Sequence, residues 1–167
     1  MSKHDAIVAE IPRLRRYARA LTGRADVADD LVQDTLERAL DKWRSWQIGR
    51  ELRPWLFSIM HNLHVDGRRR DGPIEYRDDD ELPVQVQRAT QNDALELLDL
   101  ERALALLPLE QREVLLMVAL EELSYAEVAR ALTIPQGTVM SRLARGRSRL
   151  KALLAGQAPP LLKVVTP

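Results

Sequence analysis

The stretch that decides the fold lies at residues 124–150 and reads SYAEVARALTIPQGTVMSRLARGRSRL. Ser124 and Glu127 have the spacing of a capping box, which predicts a helix that begins there and runs through Leu132. Pro135 suits the first turn of a second helix. The apolar stripe of that second helix is Val139, Leu143, Gly146, Leu150 and Leu154. Two short helices joined by a tight turn form the helix-turn-helix pattern.

The second helix of this pair carries a block of positive charge. After Arg130 the chain has no acidic residue, and five cations lie between Arg142 and Lys151. Arginine can donate paired hydrogen bonds to guanine or bind phosphate, and hydroxyl groups also hold phosphate. The alternative is that the cations complement the helix dipole and hydrate the surface, but that role requires fewer of them. The outward positions, which we expect to face DNA, are Gln136, Thr138, Met140, Ser141, Arg142, Arg145 and Arg149.

The N-terminal part of the chain is also helical in its periodicity. Apolar residues of the first helix recur at steps of three and four, at Ile7, Ile11, Leu14, Ala18 and Leu21. Gly23 is expected to end this helix, Asp26 to be the N-cap of a second helix, and a third helix to follow Pro54. Because three helices with matched apolar stripes can enclose one core, we predict a first domain at residues 5–70.

Residues 71–92 have the composition of a linker. Six acidic residues and one Arg lie within residues 71–82, and Gly72, Pro73 and Pro83 interrupt the segment. Such a stretch has too few apolar residues for a core and is longer than an ordinary loop. Helical periodicity then resumes, which predicts a second domain at residues 93–155. The predicted fold class is therefore all-α, with two small helical domains joined by a flexible acidic linker.

Several classes of protein are excluded by what the sequence lacks. It contains no Cys, which excludes disulfides and thiolate chemistry, and no apolar run approaches the roughly 18 residues of a membrane span. His61, His64 and Asp66 could form half of a metal site, but the further ligands that zinc requires are missing. No catalytic motif is present. We expect a cytoplasmic protein that is not an enzyme, uses no metal or cofactor and does not insert into a membrane.

Five segments of the sequence resemble those of a known family. Residues 107–114 (LPLEQREV), 123–129 (LSYAEVA) and 137–143 (GTVMSRL) resemble the domain of extracytoplasmic-function (ECF) sigma factors that binds the promoter −35 element. Residues 29–35 (DDLVQDT) resemble the segment by which these factors bind the polymerase clamp, and residues 55–62 (WLFSIMHN) resemble their −10 element reader. The likeness covers nearly the whole chain in the right order.

The resemblance implies a protein that binds core RNA polymerase, directs it to promoter DNA and helps to melt the −10 region, in a stress or extracytoplasmic response. The residues implied to contact polymerase are Asp29, Asp30, Gln33, Asp34 and Arg38. Those implied at the −10 element are Trp46, Asn62, Arg68, Arg69 and Arg70. Those implied at the −35 element are Thr138, Met140, Ser141, Arg142 and Arg145. A further expected partner is an anti-sigma factor that clamps the two domains together.

Some alternatives stay open at the level of sequence. Trp46 either stacks on an extruded base or belongs to the core, and the acidic linker is either a spacer or a segment that enters the polymerase cleft. Met140 offers apolar contact where the family often has a basic or polar residue, so base specificity rests more on its neighbours. A decoy that sequesters an anti-sigma factor would need no DNA-binding surfaces. A stand-alone repressor would leave the acidic face of the first domain unexplained.

Overall fold

The computed structural model describes residues 2–46, 51–71 and 93–156, and within these ranges the regular structure is helical throughout, which confirms the all-α prediction. The helices are α1 (Lys3–Thr22), α2 (Ala25–Asp41), α3 (Leu52–Asp71), α4 (Asp93–Leu106), α5 (Leu109–Leu115), α6 (Tyr125–Leu132) and α7 (Gln136–Leu154). A 3-10 turn, Trp43–Ser45, follows α2, and a π-helical turn, Leu116–Leu120, follows α5. The predicted linker, apart from residue 71, lies outside the described residues.

Local signals in the sequence set several of the helix ends, but α3 begins at Leu52, two residues before the Pro54 that it was expected to follow. Gly23 adopts a left-handed conformation (φ 71°) and ends α1, as predicted. The capping box of Ser124 and Glu127 at the start of α6 is also confirmed. The prediction for Asp26 is wrong, because α2 begins at Ala25, two residues earlier than an Asp26 cap would require. Its N-cap is Arg24, and Asp26 lies in the first turn, where its carboxylate accepts a 2.9 Å hydrogen bond from the Arg24 guanidinium.

The first three helices enclose a core of large side chains. Leu14 and Tyr17 of α1 pack against Phe57 and Met60 of α3, and all four are fully buried. The rings of Tyr17 and Phe57 meet edge to face at 4.9 Å, a favourable arrangement for aromatic pairs. Thr35 of α2 is also buried, and its hydroxyl donates a 2.7 Å hydrogen bond to the Leu31 carbonyl oxygen, which satisfies the polar group locally.

The helix-turn-helix is formed by α6 and α7 and rests on α5. Val139 and Leu143 of α7 are buried, as the predicted stripe requires, whereas Leu154 at the end of that stripe is 49% exposed. Gly146 lies where α7 crosses α5: a Cβ at this position would stand 3.4 Å from Cβ and from the carbonyl oxygen of Gln111. The missing side chain therefore allows the two helices to approach closely, and this approach fixes how the outer face of α7 is presented.

The two halves of the chain pack against each other. Helix α3 lies against α6, while α1 lies against α4 and the π-helical turn. The buried residues form one continuous cluster that runs through both halves, including Leu14 and Phe57 from the first and Val114 and Val128 from the second. The sequence predicts two helical units, but it gives no indication that they share a buried interface.

Candidate polymerase- and promoter-binding surfaces

The residues predicted to contact polymerase share the outer face of α2. Ala28, Leu31, Val32, Thr35 and Ala39 are buried, so the intervening positions point to solvent. Among those positions Asp29, Asp30, Gln33, Asp34 and Arg38 are all exposed. Asp29 lies 3.9 Å from the Arg19 guanidinium, and Gln33 donates a weak 3.4 Å hydrogen bond to Glu37. The structure thus gathers the predicted acidic residues on one surface, and a basic partner could bind there without rearrangement of the core.

Trp46, predicted at the −10 element, lies in an aromatic cluster. Its ring centroid is 4.9 Å from that of Trp43 and 6.3 Å from that of Trp55. Its indole nitrogen is buried and has no hydrogen-bond partner within the described ranges. Lys3 lies over the Trp43 ring, 5.6 Å from its centroid, and covers the cluster with a cation. Trp46 is only partly buried, so these neighbours cover part of its surface and leave the rest accessible.

The other predicted −10 residues lie on α3. Asn62 is exposed, and Arg68 is partly buried. Arg69 and Arg70 belong to the last turns of the same helix, but their side chains fall outside the part of the structure that is described. The structure therefore places Asn62, the predicted base contact, and the three predicted phosphate-contacting arginines on a common helix, while Trp46 directly follows the 3-10 turn after α2.

The predicted −35 residues lie within the first three turns of α7, and Thr138 and Arg142 are partly buried at the edge of the surface that the others expose. Met140 is 53% exposed, and Ser141 and Arg145 are exposed as well, although the Ser141 hydroxyl donates a 3.1 Å hydrogen bond to the Thr138 carbonyl oxygen. Arg142 differs from the others, since only 27% of its side chain is exposed and its guanidinium pairs with Glu110 of α5 at 3.3 Å. The surface is therefore basic, with one arginine tied to a neighbouring helix.

Sequence reasoning missed the ionic contacts between the halves. Glu121 is fully buried and follows the π-helical turn; its carboxylate accepts hydrogen bonds of 3.1 and 2.8 Å from Arg16 of α1. Arg13 approaches the same carboxylate to 3.7 Å. The Glu121 carboxylate raises the pKa of Arg16 above its ordinary value. The only sequence signal was a pair of glutamates after an apolar run, which is equally typical of an exposed turn.

A second buried cation links the same two halves. Arg112 of α5 is 8% exposed, and its guanidinium donates a 2.9 Å hydrogen bond to the carbonyl oxygen of Leu21, at the end of α1. The remaining hydrogen bonds of the guanidinium, at 2.7–3.0 Å, go to the carbonyl oxygens of Leu104, Ala105 and Leu107. Arg112 therefore caps the carboxyl ends of two helices at once, where the helix dipole favours a cation.

The histidines considered as metal ligands are part of this interface. His61 pairs with Glu113, a buried residue of α5. Burial, assisted by nearby positive groups, lowers the pKa of His64 to about 4, and burial raises the pKa of Tyr17 well above its ordinary value. Within the described ranges no three acidic or histidine side chains gather as a metal site, and no helix there is long and apolar enough to cross a membrane.

Two family models match the chain, one in each half. Residues 7–61 match the Sigma2 domain of PhyR, and residues 97–150 match Sigma-70, region 4. Over 154 residues the chain is 42% identical to the ECF RNA polymerase sigma factor EcfG of Rhodopseudomonas palustris, an alignment that covers 92% of this chain and 85% of that protein. The chain belongs to the ECF family of RNA polymerase sigma factors. This family is a class of transcription initiation factors and not a class of enzymes.

A further curated relative and two solved structures are similar to this chain. SigM of Mycobacterium tuberculosis is 35% identical over 147 residues, which cover 85% of this chain and 71% of that protein. The sigma factor RpoE, in its complex with the anti-sigma factor NepR from Bartonella quintana, aligns with a TM-score of 0.74 at 32% identity and covers 91% of this chain and 96% of that one. CnrH, in complex with the cytosolic domain of CnrY, aligns with a TM-score of 0.69 at 26% identity. This alignment covers 93% of this chain and 88% of that one.

Proposed function

We propose that this ECF sigma factor binds core RNA polymerase through the outer face of α2 and recognises promoter DNA through α3 and α7. The observation that supports this most is the separation of charge: exposed acids lie on α2, and exposed cations lie on α7. An acidic surface complements a basic protein partner, whereas a basic helix that projects from a helix-turn-helix complements the major groove. The factor contributes no catalysis, which belongs to the polymerase.

At the −35 element, the base-contacting residues proposed are Met140, Ser141, Arg142 and Arg145, with Thr138 on phosphate. Paired hydrogen bonds from arginine to guanine are the commonest base-specific contact in the major groove, and the exposed methionine suits a thymine methyl group. At the −10 element, Asn62 is the proposed contact to an extruded base edge, with Trp46 as its stacking partner and Arg68, Arg69 and Arg70 on the phosphates. Trp46 is only partly buried in the aromatic cluster, which leaves part of its surface for an extruded base.

A second function, sequestration of an anti-sigma factor, has one observation in its favour. Residues 7–61 match a domain of PhyR, and a solved structure describes PhyR as an anti-anti-sigma factor complexed with NepR. That structure is only 18% identical to this chain, so the likeness concerns the fold alone. A decoy has no use for the exposed cations of α7, which is why we favour the transcription factor. We also propose that an anti-sigma factor regulates it and that it acts in the cytoplasm, where the polymerase and the chromosome are found.

The proposal is tested by reconstituted transcription. Core polymerase plus the full chain is expected to give promoter-specific transcripts from a genomic DNA template, and core polymerase alone is the control. The variant Arg145→Ala should still bind core polymerase while losing transcripts that depend on the −35 element. Tight binding to an anti-sigma protein with no transcript from any template would support the decoy. Sequence-specific binding to DNA without polymerase would support a repressor.

A further inference from the structure

The crossing of α5 and α7 places one acidic residue beside the proposed DNA-binding surface. The helices meet where Gly146 faces Gln111, with 3.4 Å from the position of a Gly146 Cβ to Gln111. One turn before Gly146 on α7 is Arg142, and the residue before Gln111 on α5 is Glu110. The close crossing thus brings their side chains together, and a terminal guanidinium nitrogen of Arg142 lies 3.3 Å from a Glu110 carboxylate oxygen.

The two arginines of α7 that are proposed to contact −35 bases are therefore held differently. Arg145 is exposed and has no ionic partner among the described residues, so it must lose conformational freedom when it binds DNA. The Arg142 side chain, in contrast, is 27% exposed and already paired. Its contact to Glu110 uses one nitrogen, and a guanidinium has five N–H groups in a planar fork, so donors remain for a base or a phosphate.

We propose that Glu110 is a positioning residue for −35 recognition: its carboxylate orients Arg142 toward the groove before DNA binds. This inference rests on the proposed function, since it requires that Arg142 contacts the promoter. The opposing effect is repulsion between Glu110 and DNA phosphates. The Glu110 side chain is 61% exposed, so water and salt screen its repulsion of phosphates beyond Arg142 more than they screen its attraction to the guanidinium, 3.3 Å away. Orientation therefore outweighs repulsion, and removal of the carboxylate weakens binding.

The test uses holoenzyme assembled from core polymerase and the full chain, and a fluorescent promoter duplex selected from a randomised pool by the unsubstituted holoenzyme. Glu110→Gln is expected to weaken binding by about threefold to fivefold, the range of a partly exposed ion pair. In the Arg142→Ala background the same substitution is expected to have no effect, because the group that it orients is gone. Glu101→Gln, which removes one exposed negative charge from α4, is the matched control and should bind at least as tightly as the parent.

The promoter contact of Arg142 and the positioning role of Glu110 would be refuted by different results. If Arg142→Ala binds the selected duplex as tightly as the parent, Arg142 does not contact the promoter, and both the assignment and the inference are wrong. If Arg142→Ala weakens binding but Glu110→Gln behaves like Glu101→Gln, only the role of Glu110 is refuted. If Glu110→Gln weakens DNA binding even in the Arg142→Ala background and also lowers the melting temperature, Glu110 has a purely structural role in α5. That result would also refute the inference.

Discussion

Substitution of Arg16 by methionine tests whether the buried Glu121 carboxylate depends on the other half of the chain. Methionine keeps much of the length of the arginine side chain and removes its charge. In the variant, Glu121 would remain fully buried after losing hydrogen bonds of 2.8 and 3.1 Å. Its nearest remaining cation would be Arg13, at 3.7 Å. The substitution therefore leaves an acid in the interior with only partial compensation.

The size of the loss in stability depends on which member of the ion pair is removed. Loss of one member of a buried ion pair costs about 3–5 kcal/mol when the other is left without compensation. Because Arg13 still compensates part of the charge, we expect Arg16→Met to lower the free energy of unfolding by about 2–3 kcal/mol. The converse variant, Glu121→Gln, leaves arginines whose side chains are 33% and 50% exposed and can be hydrated. Its cost should be about 1 kcal/mol, the value of a lost hydrogen bond.

Urea unfolding followed by circular dichroism measures the difference in unfolding free energy between the two variants. Small-angle X-ray scattering reports whether the two halves of the chain separate before the helices unfold. With a typical dependence of unfolding free energy on urea, Arg16→Met should lower the midpoint by about 1–2 M. If the halves instead separate before they unfold, the radius of gyration should rise in the absence of urea. Glu121→Gln should show the smaller change in both measurements. If Arg16→Met is at least as stable and as compact as Glu121→Gln, the reasoning is refuted.

Three further outcomes are expected. The pKa of His64 is lowered to about 4 in the folded protein, so between about pH 6.5 and 4 only the unfolded chain takes up this proton. The free energy of unfolding should therefore fall by at most about 3 kcal/mol as the pH is lowered over that range. A His64→Gln variant with the same dependence of stability on pH would contradict this. Asp30→Arg should weaken binding to core polymerase by about tenfold, while Glu101→Arg should not; equal affinities would remove Asp30 from the polymerase surface. Gly146→Val should lower the free energy of unfolding by about 1–3 kcal/mol through overpacking against α5. Gly67→Val is the control and should cost less, because nothing lies within 4 Å of the added Cβ. The reverse order of the two melting temperatures would disprove the close crossing of α5 and α7.

Much of the local structure could be predicted because it depends on neighbours in the chain. The capping box at Ser124 and the left-handed Gly23 are decided by residues within one turn, and both predictions were confirmed. Asp26 was mispredicted for the same reason, since an aspartate in the first turn satisfies the helix almost as well as one at the cap. The family resemblance was also confirmed, because the motifs of both halves are contiguous in sequence.

The sequence predicts only in part which residues lie on the functional surfaces and how each side chain is held. Helical periodicity places Asp30 and Arg145 on outward faces, and the structure agrees. Periodicity could not distinguish Arg142 from Arg145, because the difference depends on Glu110, which lies on another helix. Trp46 likewise is positioned by Trp55, which follows a segment outside the described residues. Its availability to a base is thus a property of packing and not of composition.

By itself the sequence determined the helices, their buried stripes, the sign of charge on each outer face and the family. Only the tertiary structure decided that Glu121 is buried and that its charge is compensated by Arg16, which lies 105 positions earlier in the chain. A stripe of apolar residues specifies that a face must be covered, but many surfaces can cover it equally well. The choice of covering surface depends on distant groups that complement each other in charge and shape, and no local pattern records that choice.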